Sequence, residues 1–269
     1  MDNKTFARFQ ELIYQKSGIN LNEGKETLVQ ARIGKRMRAL GLNECTQYLR
    51  LLESNQGNEE WGFFLDAIST NVTHFFRESE HFDFLKKILN VSIDEGQTKF
   101  RIWSAASSSG EEPYSMIMTA ANTLNLKSLD FKILATDISS RVLEIAKKGQ
   151  YHKDNLKNIP VNMQGQNYLS LSKDDYNQFV INETLKRFIV FSRINLSSTP
   201  FPMKGPFDIV FCRNVMIYFD NHVRAKLLRE IHRLLRIGGY LMVGHSESLS
   251  GLNIPLEMVQ PSIYLKRGS

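Results

Sequence analysis

Cysteine is scarce in this 269-residue chain. Cys45 and Cys212 lie far apart and make no metal-type spacing, so neither a disulfide framework nor a zinc site is expected, and no metal ligands are read from the sequence. Long apolar runs are missing as well. No stretch approaches the ~18 consecutive apolar residues that a bilayer-spanning helix needs. The opening MDNKTFARFQ mixes charges with apolar residues at helical spacing, where a secretory leader would carry an unbroken apolar core. The expectation is a cytoplasmic protein with no direct membrane insertion. No internal repeat is visible. What is present is an ordinary globular composition, 42% hydrophobic and 23% charged, long enough for one full α/β domain and a smaller one. The net charge of +6 points to an acidic partner, either nucleic acid or an acidic protein surface.

One stretch organises the rest. Phe100, Ile102 and Trp103 read as a buried strand, Ser104 to Gly110 are all small, and Pro113 opens a helix with Met116, Ile117 and Ala120 as its stripe. Strand, small-residue turn and helix make the nucleotide-binding corner of a doubly wound sheet. The glycine pattern of a dinucleotide loop and the Gly-Lys-Ser/Thr of a Walker loop are both absent; Gly110 is followed by Glu111 and Glu112. Two acids repel a pyrophosphate but attract a ligand carrying an amine and a sulfonium, as S-adenosylmethionine does. They serve equally to complement the positive end of the helix dipole, and the residue types leave both readings open.

Before this corner the chain reads as helical. Phe6, Phe9, Ile13 and Tyr14 keep a helical period to Gly18, the stretch to about residue 55 continues it, and a second helix is predicted from about Lys25 to Leu40. On that second helix Val29, Ile33, Met37 and Leu40 form one side, and Arg32, Lys35, Arg36 and Arg38 form a cationic strip on the other. Such a strip is either solvated surface or a match for a long acidic helix. After Trp61, Phe64, Leu65 and Ile68, the segment from Ser69 to Glu78 brings Asn71, Thr73 and Arg77 into an aromatic context. Phe82, Leu85, Ile88 and Leu89 then make a linker helix. The predicted division is a helical domain over 1–75, a linker over 76–98 and the α/β domain over 99–269.

Within the α/β domain, Phe131 to Ala135 reads as a second strand ending in Asp137, 27 residues after Gly110, where such folds place an acid against ribose hydroxyls. An Asp there also suits the cap of the next helix. Residues 150–186 interrupt the alternation with polar sequence and scattered aromatics, and read as an inserted β subdomain with Tyr176 to Ile181 as its best strand. The sheet resumes at Phe188 to Phe191, followed by Asn195 and Leu196, and again at Phe207 to Cys212, followed by Arg213 and Asn214. A helix from about Asn221 to Arg236 is predicted to stop at Gly238-Gly239, with Tyr240 to Gly244 and an antiparallel edge hairpin around Pro261 after it.

Five blocks in order, NVTHFFRE (71–78), WSAASSSGEEPYS (103–115), ATDIS (135–139), FDIVFCRNVMIYFD (207–220) and GHSESL (244–249), resemble the CheR-type chemotaxis receptor methyltransferases. The resemblance covers nearly the whole chain. It implies a Rossmann-like α/β methyltransferase sheet with an all-helical N-terminal domain and a small inserted antiparallel β subdomain. It implies transfer of a methyl group from S-adenosylmethionine to glutamates on the cytoplasmic helical bundle of a chemoreceptor, leaving S-adenosylhomocysteine. By motif position, Asn71, Thr73 and Arg77 would line the methionine end, Glu112 would hold the amine and Asp137 the ribose. Asn195 and Leu196 would flank the adenine, and Arg213 with Asn214 would complete the pocket beneath Tyr218. Arg77 and Tyr218 would orient the substrate carboxylate as the catalytic pair. The resemblance also gives Arg32, Lys35, Arg36 and Arg38 a substrate, since receptor bundles are acidic. Two rivals remain: a non-catalytic cofactor-binding module of a signalling array, and a nucleic-acid methyltransferase. Against the second, the cationic strip has no aromatic stacking partners, and Asn214 to Tyr218 lacks the prolines of base-methylating enzymes.

Overall fold

The computed structural model describes residues 1–21, 24–54 and 59–268; the expected limit of the helical stretch at residue 55 and the last residue, 269, fall outside these. The N-terminal part is α1 (Asn3–Ser17), α2 (Glu26–Ala39), α3 (Cys45–Glu53) and α4 (Glu60–Ile68). Asp2 caps α1 by accepting from the Thr5 amide at 2.7 Å. Phe9, Ile33, Tyr48 and Phe64 meet at the centre of the four helices, with the Phe9 and Phe64 rings 5.9 Å apart and Tyr48 edge-on to Phe64. Each such buried side chain contributes about 1.5–3 kcal/mol, enough to hold a small helical unit together.

Five parallel strands follow: β1 (Lys99–Ala105), β2 (Asp130–Asp137), β6 (Ile189–Arg193), β7 (Phe207–Cys212) and β8 (Leu235–Val243). β10 (Ile263–Leu265) and β9 (Glu257–Gln260) add an antiparallel edge, giving the order β6-β2-β1-β7-β8-β10-β9. The chain builds outward from β1 through β2 to β6, then returns to the other side of β1 to lay down β7 and β8. The order therefore reverses between β1 and β7, and a ligand crevice is expected outside their carboxyl ends. Side chains alternate across the sheet: Phe100 and Ile102 of β1 pack with α5 (Glu80–Asp94) and α6 (Glu111–Thr123), while Trp103 and Ala105 pack with α9 (Asn221–Leu234). Burial on both faces is why β7, at the centre of the sheet, reads as a nearly unbroken apolar run. The apolar face of α5 belongs to the core of the sheet, through Phe82, Phe84, Leu85 and Leu89.

The insertion forms a separate antiparallel sheet, β3 (Gln150–His152), β5 (Gln178–Ile181) and β4 (Leu169–Leu171), between α7 (Ser140–Lys148) and the short α8 (Glu183–Lys186). One expectation is corrected here. α9 does not run on to Gly238-Gly239; it stops at Leu234, and both glycines lie inside β8. The stop is tertiary: Leu235 pairs with Phe207 of β7, and the Lys266 ammonium donates to the His232 and Leu235 carbonyls at 2.7 and 2.8 Å, satisfying the end of the helix from outside. Among the described residues no helix is long and apolar enough to cross a membrane.

Candidate functional site

The turn from β1 into α6 carries three residues in the left-handed region, Ala106 (φ 63°), Ser108 (φ 49°) and Gly110 (φ 99°). Non-glycine residues held there store about 1–3 kcal/mol each, a cost that ordered surroundings at functional sites sustain. Gly110 is required for a second reason: a Cβ on it would lie 2.8 Å from the Ala146 Cβ and 2.9 Å from the Tyr151 hydroxyl. Asp137, at the end of β2, locks the turn by accepting from the Ser108 amide and the Ser139 amide, both at 2.9 Å. Burial raises its pKa, and these amides partly offset the shift.

The two acids after Gly110 separate. Glu111 turns into the protein and accepts from the Ser109 hydroxyl at 2.7 Å. Glu112 faces inward over the crevice, with one oxygen accepting from the Ser104 hydroxyl at 2.8 Å and the other from Arg213 at 3.1 Å. Arg213 follows β7 and has a side chain only 1% exposed. It donates on its other side to Glu78 at 3.0 Å and to the Arg77 carbonyl, between the rings of Phe82 and Phe211. A single guanidinium thus holds two carboxylates. Burial pushes Glu112 up, with Arg213 working against it. Glu78 would also be raised by burial, but Arg213 and the Asn214 amide together carry it below its ordinary value. Next to this cluster the His81 ring is buried, and burial, ahead of the Arg213 charge, lowers its pKa to about 4, so it is neutral.

Glu247 performs a related task with backbone groups. Its carboxylate accepts from the amides of Asn214 (2.8 Å), Val215 (3.0 Å), Met216 (2.7 Å) and Gly244 (2.6 Å), fixing the turn that leads from β7 to Tyr218. Burial raises its pKa, and the amides of Gly244, Asn214 and Met216 oppose the rise. The Tyr218 hydroxyl has no hydrogen-bond partner among the described residues, whereas its carbonyl accepts from the Asn20 amide at 2.8 Å.

These parts border one cavity of about 350 Å³, within the range of small-molecule sites. Asn71, Thr73 and Arg77 line it from the segment before α5, and Glu112 and Asp137 from the turns after β1 and β2. Asn195, Leu196, Arg213, Asn214 and Tyr218 close it from the turns after β6 and β7. Every residue expected at the cofactor or in the catalytic pair therefore borders the same space. Ser17, Ile19 and Asn20, just past α1, and Arg32 of α2 form its roof. Three hydrogen bonds seat that roof: Tyr14 hydroxyl to Asp220 at 2.7 Å, Asn195 amide to the Lys16 carbonyl at 2.7 Å, and the Asn20–Tyr218 bond. Gly18 is needed at this contact, since a Cβ would fall 2.5 Å from the Ser197 Cβ. The Asn195 side chain is spent on the seam, so only its backbone and neighbouring Leu196 present free surface to the cavity.

The expected cationic strip is not uniform. Arg36 makes a two-pronged pair with buried Glu60 at 2.9 and 2.7 Å, and lies 4.1 Å over the Phe63 ring; Tyr48 donates to the same Glu60 at 2.7 Å. Arg32 donates to the Ile68 carbonyl and, at 3.0 Å, to the Thr70 hydroxyl. Lys35 and Arg38 are exposed and have no ion-pair partner among the described residues. The wheel explains the split: at 3.6 residues per turn, Arg36 is about 60° from the centre of the apolar stripe, whereas Lys35 and Arg38 are about 140–160° away. Only Arg32 of the four borders the cavity.

Glu78 and Glu247 are the residues that the sequence reading did not name, although both lie inside the quoted blocks. Glu78 meets Arg213 135 positions away, and three of the four amides on Glu247 lie more than 30 positions away.

The donor set fits S-adenosylmethionine. Glu112 at the wall of the cavity, and Glu78 behind it, share one guanidinium, which leaves acceptor capacity for a ligand end bearing an amine and a sulfonium.

Comparison with known proteins agrees. The family described as CheR methyltransferase, SAM binding domain, matches residues 71–265, and CheR methyltransferase, all-alpha domain, matches residues 4–69. A chemotaxis protein methyltransferase of Borreliella burgdorferi is 39% identical over 97% of this chain and 93% of its own. Those of Escherichia coli (40%, covering 96% and 89%) and Salmonella typhimurium (41%, covering 92% and 84%) are similar to it to the same degree. The chain belongs to the CheR methyltransferase family, with S-adenosylmethionine as its cofactor.

Proposed function

We propose that this methyltransferase acts in the cytoplasm on the γ-carboxylates of glutamates in the helical bundle of a chemoreceptor, forming methyl esters and S-adenosylhomocysteine. The observation that carries the reading is the meeting of Arg77, Tyr218, Arg213 and Glu112 on one cavity, with Glu78 holding Arg213 from behind. Bound there, the cofactor supplies an electrophilic methyl group on sulfur. Asn71, Thr73 and Arg77 border its methionine end, Glu112 accepts from its amine, Asp137 takes the ribose, and Asn195 with Leu196 flanks the adenine. Arg213 and Asn214 hold the wall in shape.

A glutamate carboxylate is already ionised at neutral pH, so the reaction needs no strong base, and positioning is the protein's main task. Arg77 orients the incoming carboxylate by a charge-assisted hydrogen bond, and the Tyr218 hydroxyl fixes its second oxygen. The unit over 1–75 recognises the receptor, 76–98 links, and 99–269, with the insert at 150–186, carries the cofactor. On α2, Lys35 and Arg38 meet the acidic bundle directly; Arg32 and Arg36 hold the strip in place from its inner side.

The test is transfer of labelled methyl from S-adenosylmethionine to purified receptor cytoplasmic bundles, read as methanol released by base, with RNA as the control acceptor. Esters release methanol and methylated bases do not. Arg77→Ala is expected to lower turnover on the order of a hundredfold, with a much smaller loss of S-adenosylhomocysteine binding. Unchanged turnover in that variant would remove Arg77 from the reaction.

A further inference from the structure

His81, in the first turn of α5, has both ring nitrogens buried and without a hydrogen-bond partner among the described residues. Buried polar atoms are seldom left so, and an orphaned one calls for a ligand. The ring is 1% exposed, and its Nδ1 lies 3.5 Å from Glu78 Oε2, too far for a good hydrogen bond. That spacing suits a different arrangement. A tetrahedral ion with bonds of about 2.0–2.1 Å holds neighbouring donor atoms about 3.3–3.4 Å apart. A third donor is at hand. His245, exposed in the turn after β8, stacks edge-on to His81 at 5.3 Å between ring centres, and one donor atom from each of Glu78, His81 and His245 fits within 4.8 Å of the others. Exposure leaves the His245 side chain free to close the remaining distance.

We propose that Glu78, His81 and His245 form a binding site for a zinc-type divalent cation, and that filling it draws Glu78 away from Arg213 and weakens cofactor binding. Two imidazoles and one carboxylate favour zinc over calcium or magnesium, which prefer all-oxygen sites, and a water completes the fourth position. The coupling follows from shared ligands. Glu78 Oε2 is bonded to Arg213 at 3.0 Å, and Arg213 bonds Glu112 at 3.1 Å. A cation on Glu78 leaves Glu112 as the only carboxylate for the guanidinium, so Arg213 competes more strongly with the cofactor's amine. This second half rests on the cofactor role proposed for Glu112; the site itself does not. Cysteine spacing gave no hint of it, because its donors are two histidines and a glutamate from two distant turns.

The test uses the intact protein stripped of metal. Zinc is titrated against a chromophoric chelator in the wild type, in His245→Ala and in His81→Gln, with circular dichroism to verify folding. S-adenosylhomocysteine binding is then measured by calorimetry with and without zinc. One zinc per chain is expected, lost in His245→Ala, with the cofactor product bound roughly fivefold or more weakly by the zinc-loaded wild type. His245→Ala, being a surface change, is expected to bind the product normally and to be insensitive to zinc. Zinc binding that survives in His245→Ala overturns the site, and zinc loading with unchanged product affinity overturns the coupling. Absence of product binding to zinc-free wild type would instead count against the cofactor pocket.

Discussion

Arg213 and the α2 strip are both cationic, yet the protein treats them oppositely. Arg213 is sealed between Glu78 and Glu112, and its position decides where two carboxylates of the cavity wall stand. Lys35 and Arg38 stand in solvent with no ion-pair partner among the described residues, so their orientation is left to whatever docks there. Arg36 belongs with Arg213 although it lies one residue from Lys35, because Glu60 and Tyr48 have already claimed it. A cation with buried partners shapes its own molecule, and one without them is available to another.

The comparison predicts graded effects. Arg213→Met leaves two carboxylates facing each other in a buried wall. It is expected to cost about 3–5 kcal/mol of stability and to abolish cofactor binding, measured by urea unfolding and calorimetry. A cost below about 1 kcal/mol would mean that the cluster is more hydrated than its burial indicates. Arg36→Gln strips Glu60 of its charge partner and is expected to cost about 1–3 kcal/mol on the same unfolding measurement. Lys35→Glu with Arg38→Glu should change stability by less than about 0.5 kcal/mol. The same pair is expected to slow receptor methylation roughly tenfold at low salt, with the difference shrinking as salt is added and cofactor affinity unchanged.

The smallest effect concerns pH. Burial raises Glu112, so the folded protein holds its proton more tightly than the unfolded chain does. Ionised Glu112 therefore subtracts from stability at neutral pH, and the penalty is relieved as pH falls towards the ordinary glutamate value of 4.5. Glu112→Gln carries no such penalty at any pH. Its stability relative to wild type should accordingly decline between pH 7 and pH 4.5, as read from unfolding midpoints across that interval. A flat difference would place Glu112 in water.

Much of the cavity was legible because its chemistry is local. The small residues before Gly110, the acid after β2 and the polar pair after β7 each sit at the carboxyl end of a strand, and period and composition locate such ends. What escaped depends on distance in sequence. Glu78 is identified by Arg213, Glu247 by four amides from two separate turns, and the end of α9 by Lys266. Nothing within a window of ten residues distinguishes these from surface acids or an ordinary lysine. On α2 the four cations were grouped on one side of the helix, and it is Glu60, 24 positions further on, that sets Arg36 apart from Lys35 and Arg38.

The roof over the cavity belongs to the helices and the floor to the sheet, and the two are joined at the hydrogen bonds of Tyr14, Asn20 and Asn195. A cofactor beneath this roof is covered in part by that seam, so loosening the seam is expected to ease its departure. Tyr14, which does not line the cavity, would then bear on residence time alone. Tyr14→Phe would quicken departure without altering the chemistry beneath it. A seam of this kind would let the pace of each cycle be set at a joint between units while the reacting groups are left alone.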